Sequence, residues 1–560
     1  MNRLRVRWLG RVPYREADDL QRALHARAAD DYLLLLEHPH VYTLGTRADP
    51  SHVLVPPASV GAELVRADRG GDVTYHGPGQ LVGYPIVTLP EWQDGRHDVV
   101  AHVRRLEEVL IATLATLGVE AGREPGLSGV WVGKAKVAAI GVKVARGRTR
   151  HGFALNVDPD LGMFGHIVPC GIRDRGVTSL ARLLGRPVKM REVVEAVAAS
   201  FVREHGYDDV ERQDVVWRAR PDDLAPFSRD RGPAVEKGGQ RLGAPAAPVR
   251  LLGRLAEAGV RPEAEPARRP EWMRIRARLG SDYRDVQRLM RRLDLHTVCE
   301  DAGCPNIYEC WADRTATFMI LGDRCTRACG FCLVDTRHPL PLDEQEPRRV
   351  AEAVATMGLA HAVITSVTRD DVPDGGAAVF AATIRAVRDR TPATRVEVLI
   401  PDLRGDESAL ATVVDARPDV LNHNLETVAR LQRAARPSAA YWRSLALLAR
   451  AKEAGLVTKS GLILGMGETG TEVRGAIADL RNVGVDVLTL GQYLRPSDRH
   501  LPVVRWWHPD ELAELGAYAE ALGFLHVEAG PLVRSSYHAR RAVEAAGRSG
   551  PREADPGGVA

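Results

Sequence analysis

The sequence predicts two domains: an α+β half, followed by an α/β half built as a partial TIM barrel of six β/α units, (β/α)6. Three observations carry that expectation. The chain has 560 residues, and single hydrophobic cores stop growing at about 250–300 residues. Between Pro221 and Pro270 stand eight of the 35 prolines, together with clusters such as EKGGQ and GAPAAPV that neither propagate a helix nor sit inside a sheet. The hydrophobic rhythm also changes across that stretch. The boundaries read as a first domain over 1–215, a Pro/Gly-rich linker over 216–248, a second domain over 249–545 and a disordered tail over 546–560.

In the first half, YLLLL (Tyr32–Leu36), KVAAIGVKV (Lys136–Val144) and GFALNV (Gly152–Val157) read as strands, and Asp98–Leu117 and Lys189–His205 carry a helical period. In the second half, TFMIL (Thr317–Leu321), AVITS (Ala362–Ser366), VEVLI (Val396–Ile400), VLNHN (Val420–Asn424), TKSGLIL (Thr458–Leu464) and DVLTL (Asp486–Leu490) alternate with Ala/Arg/Glu-rich helical segments. That order builds a parallel sheet whose chemistry sits at the C-terminal ends of the strands.

Composition excludes several classes. With 76 Lys+Arg against 73 Asp+Glu the net charge is +3, too small a field to argue for nucleic acid or an anionic membrane. The longest apolar run is strand-sized, and MNRLRVRWLGRVP has charges where a signal peptide is apolar. A cytoplasmic protein is expected, and in that reducing compartment a cysteine cluster points to metal or catalysis rather than disulfides.

Six of the seven cysteines lie between Cys299 and Cys332. Cys325-x3-Cys329-x2-Cys332 follows the first barrel strand. Three thiolates at that spacing can hold one face of a cubane iron–sulfur cluster and leave one iron open to a substrate or cofactor. A zinc knuckle is the alternative, though zinc usually takes CxxC pairs. A second trio, Cys299-x4-Cys304-x5-Cys310, stands just upstream in a polar, Gly/Pro-interrupted loop.

These residues resemble lipoyl synthase of the radical S-adenosylmethionine (radical SAM) superfamily. CEDAGCPNIYEC and GDRCTRACGFC carry the resemblance, with TSVTRDDVPDGGA (Thr365–Ala377), HNLET (His423–Thr427), KSGLILGMGE (Lys459–Glu468), GQYLRPS (Gly491–Ser497) and VRSSYHA (Val533–Ala539). The resemblance implies two 4Fe–4S clusters. The one on Cys325, Cys329 and Cys332 would bind S-adenosyl-L-methionine and yield a 5′-deoxyadenosyl radical. The auxiliary one, on Cys299, Cys304, Cys310 and Ser536, with Ser535 as the other choice of serine, would be consumed as the sulfur source. Asn424 and Glu426 are candidates for binding the adenosyl ribose.

In the first half the scarce lysine draws attention. Only seven of the 76 basic residues are lysine, with Lys134, Lys136 and Lys143 close together, and lysine, unlike arginine, can give up its proton. Cys170 stands alone in GHIVPCGI. LLLLEHPHVYTLG (Leu33–Gly45), RGGDVTYHGPGQ (Arg69–Gln80), GKAKVAAIGVKV (Gly133–Val144), HGFALNV (His151–Val157) and IVPCGI (Ile167–Ile172) are similar to lipoyl(octanoyl) transferase, of the biotin/lipoate-ligase-like fold. The similarity implies that Cys170 is the acyl-carrying nucleophile and Lys136, rather than Lys134, its proton-transfer partner. It also implies an acyl-binding surface of Arg69, Gly70, Gly71, Asp72, Val73, Thr74, Tyr75 and His76, with Ala139, Ile140, Gly141, Gly152, Phe153 and Ala154.

Joined, the two resemblances imply a bifunctional enzyme of lipoate biosynthesis. Its first domain would move octanoyl from octanoyl-acyl carrier protein to a lysine of a lipoyl-carrier domain, and its second would insert two sulfurs at C6 and C8. The implied partners are the carrier domains of 2-oxoacid dehydrogenases, the glycine-cleavage carrier protein and an electron donor such as ferredoxin or flavodoxin. A ligase activating free lipoate with ATP is the alternative for the first domain.

Overall fold

The computed structural model describes residues 3–91, 97–171, 175–216, 249–260, 269–273, 281–297, 300, 304, 306–307 and 317–537. The expected tail and nearly all of the expected linker lie outside the described residues. The chain divides into two compact units, Met1–Trp217 and Arg218–Ala560. Among the described residues no helix is long and apolar enough to cross a membrane.

In the first unit, strands β1 (Leu4–Arg11), β2 (Asp31–Glu37), β3 (Val41–Leu44), β4 (Glu63–Arg66), β5 (Val73–His76) and β6 (Gln80–Ile86) precede β7 (Gly122–Glu124), β8 (Leu127–Val132), β9 (Ala135–Ala145), β10 (Arg148–Asn156), β11 (Gly176–Val177) and β12 (Val210–Asp214). They form a mixed sheet ordered β12-β1-β2-β6-β10-β9-β8-β7, with β11 on β9, and a small sheet β4-β3-β5. The YLLLL run is central because both its faces are covered: Leu33 and Leu35 join the main core, and Leu34 and Leu36 are also buried, on the other face. Helix α1 (Tyr14–Arg27) packs on β10. Helix α2 (Val99–Thr116) starts where Asp98 caps the Ala101 amide, and it packs on α3 (Met190–His205), which stops at Gly206 in a left-handed turn.

In the second unit, a short antiparallel strand β13 (His296–Thr297) edges seven parallel ones: β14 (Thr317–Ile320), β15 (His361–Ser366), β16 (Arg395–Leu399), β17 (Val420–Asn422), β18 (Val457–Leu464), β19 (Val487–Gln492) and β20 (His526–Ala529). The six expected strands are all present. The seventh parallel strand, HVEA, was invisible to periodicity because its four residues are all only half-buried, so no apolar run marks it. A buried ion pair sits within this sheet, where Lys459 Nζ meets Glu397 Oε1 at 2.9 Å. Burial would raise the Glu397 carboxyl, but the Lys459 charge and a hydrogen bond from His361 outweigh it and hold it well below the usual carboxylate range.

Candidate functional site

The first site is a cavity of about 420 Å³ between the Arg69–Gly71 loop, β5, β9 and β10. Of the residues expected to hold an acyl chain, Arg69, Gly70, Gly71, Asp72, Thr74 and His76 line it on one side, and Ala139, Ile140, Gly141, Gly152, Phe153 and Ala154 on the other. Val73 and Tyr75 do not. Strand side chains alternate, so these two face away and pack with Tyr42, Leu44 and Phe164.

The loop is pinned at both ends. Gly70 N donates to Val142 O at 3.0 Å, and Arg69 Nη2 to Thr43 O at 2.6 Å. A side chain at Gly141 would press to 3.0 Å from Gly70 O, so the glycine allows the loop to close over β9. Behind the loop, Asp68 takes hydrogen bonds from His151 Nε2 and Lys143 Nζ, both at 2.7 Å, and from Arg150. These hydrogen bonds, His151's first, hold its carboxyl well below the usual range despite partial burial.

Lys136 lines the cavity, its Nζ 4.7 Å from the Trp131 ring centroid. Lys134 is exposed in the preceding turn and does not line it. Cys170 lies in the turn Pro169–Gly171, which packs against β5; the Cys170 side chain lies outside the described residues. The chain then returns to β9, where Gly176 pairs with Ala135 and Thr178 N donates to Lys136 O at 3.0 Å. Gly176–Thr178 is thus tied to the Lys136 end of β9.

Reasoning from sequence missed the other end of this cavity. Tyr14, Tyr84 and His151 also line it. His38 bonds Val12 O through Nδ1 at 2.6 Å and the Tyr84 hydroxyl through Nε2 at 2.7 Å. Burial pushes His38 down to about 4, and burial with the nearby His38 pushes His76 well below its ordinary value. Nothing local in the sequence marks Tyr14, which is the first residue of an amphipathic helix.

The second site is at the C-terminal ends of the barrel strands. Cys325, Cys329 and Cys332 stand close enough to feel one another's charge, and burial followed by that repulsion pushes Cys329 up to about 12. Burial pushes Cys332 up to about 11. As bare thiols these groups resist ionising together, so the arrangement suits ligands that share a cationic cluster. Two amides, Arg327 N at 3.4 Å and Thr368 N at 3.3 Å, donate to Cys325 Sγ, as the sulfurs of such clusters accept.

Arg327, between the first two cysteines, clamps the loop. Its Nε and Nη2 reach Asp370 at 2.7 and 2.8 Å, and Nη2 lies 2.7 Å from Asp402. Burial alone would raise the Asp402 carboxyl; Arg327, then Arg443, outweigh it and hold it well below normal. Gly330 closes the loop's far side, because a Cβ there would meet Leu501 Cδ1 at 2.9 Å.

Asn424 and Glu426 follow β17. Glu426 holds φ +68, and its backbone bridges to β18 through Gly461 O and Ile463 N, each at 2.9 Å. Such a left-handed residue without a glycine is strain held by its surroundings. Burial raises the Glu426 carboxyl, with Arg436 and a hydrogen bond from Asn424 opposing.

Of the auxiliary trio, Cys299 and Cys310 lie outside the described residues. Cys304 is described: burial raises its thiol and the Arg534 charge opposes. Asn306 Nδ2 donates to Leu532 O at 2.8 Å, which ties Asn306 just ahead of the RSSY segment, Arg534–Tyr537. There the Ser535 hydroxyl accepts from Asn424 Nδ2 at 2.5 Å.

Comparison with known proteins divides the chain the same way. A family model of the lipoyl protein ligase A/B catalytic domain matches residues 13–202. One for the N-terminal domain of lipoyl synthase matches 250–304, and the radical SAM superfamily model matches 319–480. Lipoyl synthase of Mycobacterium ulcerans is 58% identical over 279 residues, half of this chain and 86% of that protein. Lipoyl synthase of Mycobacterium leprae is also 58% identical over 279 residues, covering 89% of that protein. Among solved structures, lipoate-protein ligase A bound with ATP shows 19% identity and a TM-score of 0.32 over 40% of this chain and 92% of its own.

Proposed function

This chain belongs to the lipoyl synthase family, and from that premise we propose that it performs two successive steps of protein lipoylation: octanoyl transfer in its first half, sulfur insertion in its second. The family assignment makes it an enzyme that uses S-adenosylmethionine and 4Fe–4S chemistry; the octanoyl donor and the count of two clusters are part of the proposal. So are the boundaries, 1–215 and 249–545 with a tether between.

One observation carries the first step: the turn holding Cys170 packs on β5, whose Thr74 and His76 line the same cavity as Lys136 and the expected acyl-binding loop. In the proposed reaction the Cys170 thiolate attacks the thioester carbonyl of octanoyl-acyl carrier protein, and Lys136 gives a proton to the departing carrier thiol. The lysine amine of a lipoyl-carrier domain then attacks the Cys170 thioester; Lys136 accepts its proton as the amide forms. A backbone amide of this loop other than Gly70 N, which donates to Val142 O, would receive the developing oxyanion.

For the second step, Cys325, Cys329 and Cys332 would hold the cluster that binds S-adenosylmethionine and, once reduced, supplies the hydrogen-abstracting radical. Arg327 holds their loop in place, and Asn424 and Glu426 would bind the ribose. Cys299, Cys304, Cys310 and Ser536 would hold the second cluster. Asn424 already engages Ser535, which favours Ser536 as its fourth ligand. Thiols that must stay reduced fit a cytoplasmic enzyme, with ferredoxin or flavodoxin as reductant and the 2-oxoacid dehydrogenase and glycine-cleavage carriers as substrates.

Mass spectrometry tests both steps. A carrier domain incubated with the chain, octanoyl-acyl carrier protein, S-adenosylmethionine and reductant should gain first an octanoyl mass and then two sulfurs. Since the matched family model spans ligases and transferases alike, the reaction is run without ATP; octanoylation that requires ATP and free acid would replace transfer with ligation.

A further inference from the structure

The cysteine loop is held from two sides. Arg327 ties its first half to Asp370 and Asp402. Its second half meets the segment Arg495–Leu501, which follows β19 and includes the RPS of the GQYLRPS motif. Leu501 N donates to Gly330 O at 2.8 Å, and His500 Nε2 lies 2.8 Å from Cys332 O, 168 positions away in the chain. A loop shaped around a site has no ladder to satisfy its backbone, so a half-buried carbonyl such as that of Cys332 needs a donor from elsewhere.

The His500 ring is committed at both nitrogens. A carbonyl oxygen only accepts, so Nε2 carries the proton; in the neutral ring Nδ1 then accepts, and Ser497 Oγ stands 2.9 Å away as its donor. Arg499 N donates to Ser497 Oγ at 3.3 Å, which leaves the hydroxyl hydrogen for the ring. Neither nitrogen is left for a metal, so His500 is not a further ligand of a cluster. The segment is anchored elsewhere: Leu501 is 0% exposed, and Tyr493, 2% exposed, donates its hydroxyl to Leu501 O at 2.8 Å. Ser497 and Arg499 are exposed. Loss of the His500 ring therefore leaves the segment anchored and takes away the donor to Cys332.

We propose that His500 is a positioning residue for the cysteine loop, fixing it at Cys332 before a cluster binds. The proposal rests on the reading of Cys325, Cys329 and Cys332 as ligands of one 4Fe–4S cluster. Three thiolates must converge on one face of the cluster, and a loop free to wander would have to be ordered at the moment of binding. With Arg327 on one side of Cys329 and His500 on the other, the loop is ordered beforehand, as hydrogen bonds around metal-ligating residues do elsewhere.

The test compares the full chain with His500→Ala and His500→Gln, since a glutamine amide donates at about the reach of Nε2. In chain freed of iron, hydrogen–deuterium exchange is read by mass spectrometry over residues 325–332. Exchange should rise about fivefold in His500→Ala, as expected for one hydrogen bond, and stay near the parent's in His500→Gln. After anaerobic reconstitution, transfer of iron to a ferrous chelator should likewise speed up about fivefold in His500→Ala and not in His500→Gln. Parent-like exchange in His500→Ala overturns the proposal, and so does equal disturbance in both variants, which would make His500 a packing residue. If the parent takes up no iron–sulfur cluster, the ligand reading fails; exchange in the iron-free chain still decides whether His500 holds the loop.

Discussion

Arg327 shows how much a single residue can decide here. It lies inside the cysteine motif, is 8% exposed, and neutralises Asp402, which is 1% exposed. Removing one partner of a buried pair strands the other. Arg327→Met should therefore lower the stability of the second unit by about 3–5 kcal/mol and reduce iron bound on anaerobic reconstitution. Calorimetry and iron analysis read both; an equally stable, fully loaded variant would show that the clamp is dispensable. The cysteines themselves were legible from spacing alone. Their clamp was not, because Asp370 and Asp402 lie far along the chain and only folding brings them to the same guanidinium.

At the scale of an element, β5 separates two roles by alternation. Val73 and Tyr75 are fully buried with Tyr42 and Phe164, while Thr74 and His76 line the cavity. Val73→Ala should lower the melting temperature, at a cost of about 2 kcal/mol, and leave chain-length preference alone. Thr74→Val, nearly isosteric, should alter KM for the acyl donor with little change in melting. If Val73→Ala shifted chain-length preference while Thr74→Val left KM untouched, the strand would face the other way. The motif RGGDVTYH marked the whole segment as acyl-binding; which of its residues face the cavity depends on the pleat, and on which face Tyr42, Leu44 and Phe164 cover.

Across the whole molecule, burial of neutral histidine sets an acid limit. His38 and His102 are each pushed down to about 4 by burial, with His205 adding to the effect at His102. Their unfolded value is 6.5, so as pH falls below it the unfolded chain takes up protons the folded one refuses. Stability is thus full above about 6.5 and declines toward 4. By pH 5 each of the two should have withdrawn about 2 kcal/mol, so the first unit should melt several degrees lower at pH 5 than at pH 7. A melting curve flat across that range would contradict the buried neutral state. The two chemistries should also separate by mutation. Cys170→Ser should block acyl transfer and spare sulfur insertion on a carrier already octanoylated; Cys329→Ala should do the opposite. Loss of both activities in either variant would end the two-site proposal.

Much of this was written in the chain itself. Six parallel strands, three strands of the first sheet, the cysteine trios and the glycine loop follow from period, spacing and residue type, because those signals are local and each residue carries its own. Folding alone decided the rest: the seventh parallel strand, the Arg327 clamp, the left-handed Glu426 between two strands, and the cavity wall where Tyr14, Tyr84 and His151 meet. Tyr14 and His151 stand more than a hundred residues apart and are ordinary in their own segments. They become a pair only where α1 packs across β10, since burial and unsatisfied hydrogen bonds belong to the packed whole and leave no mark on either segment.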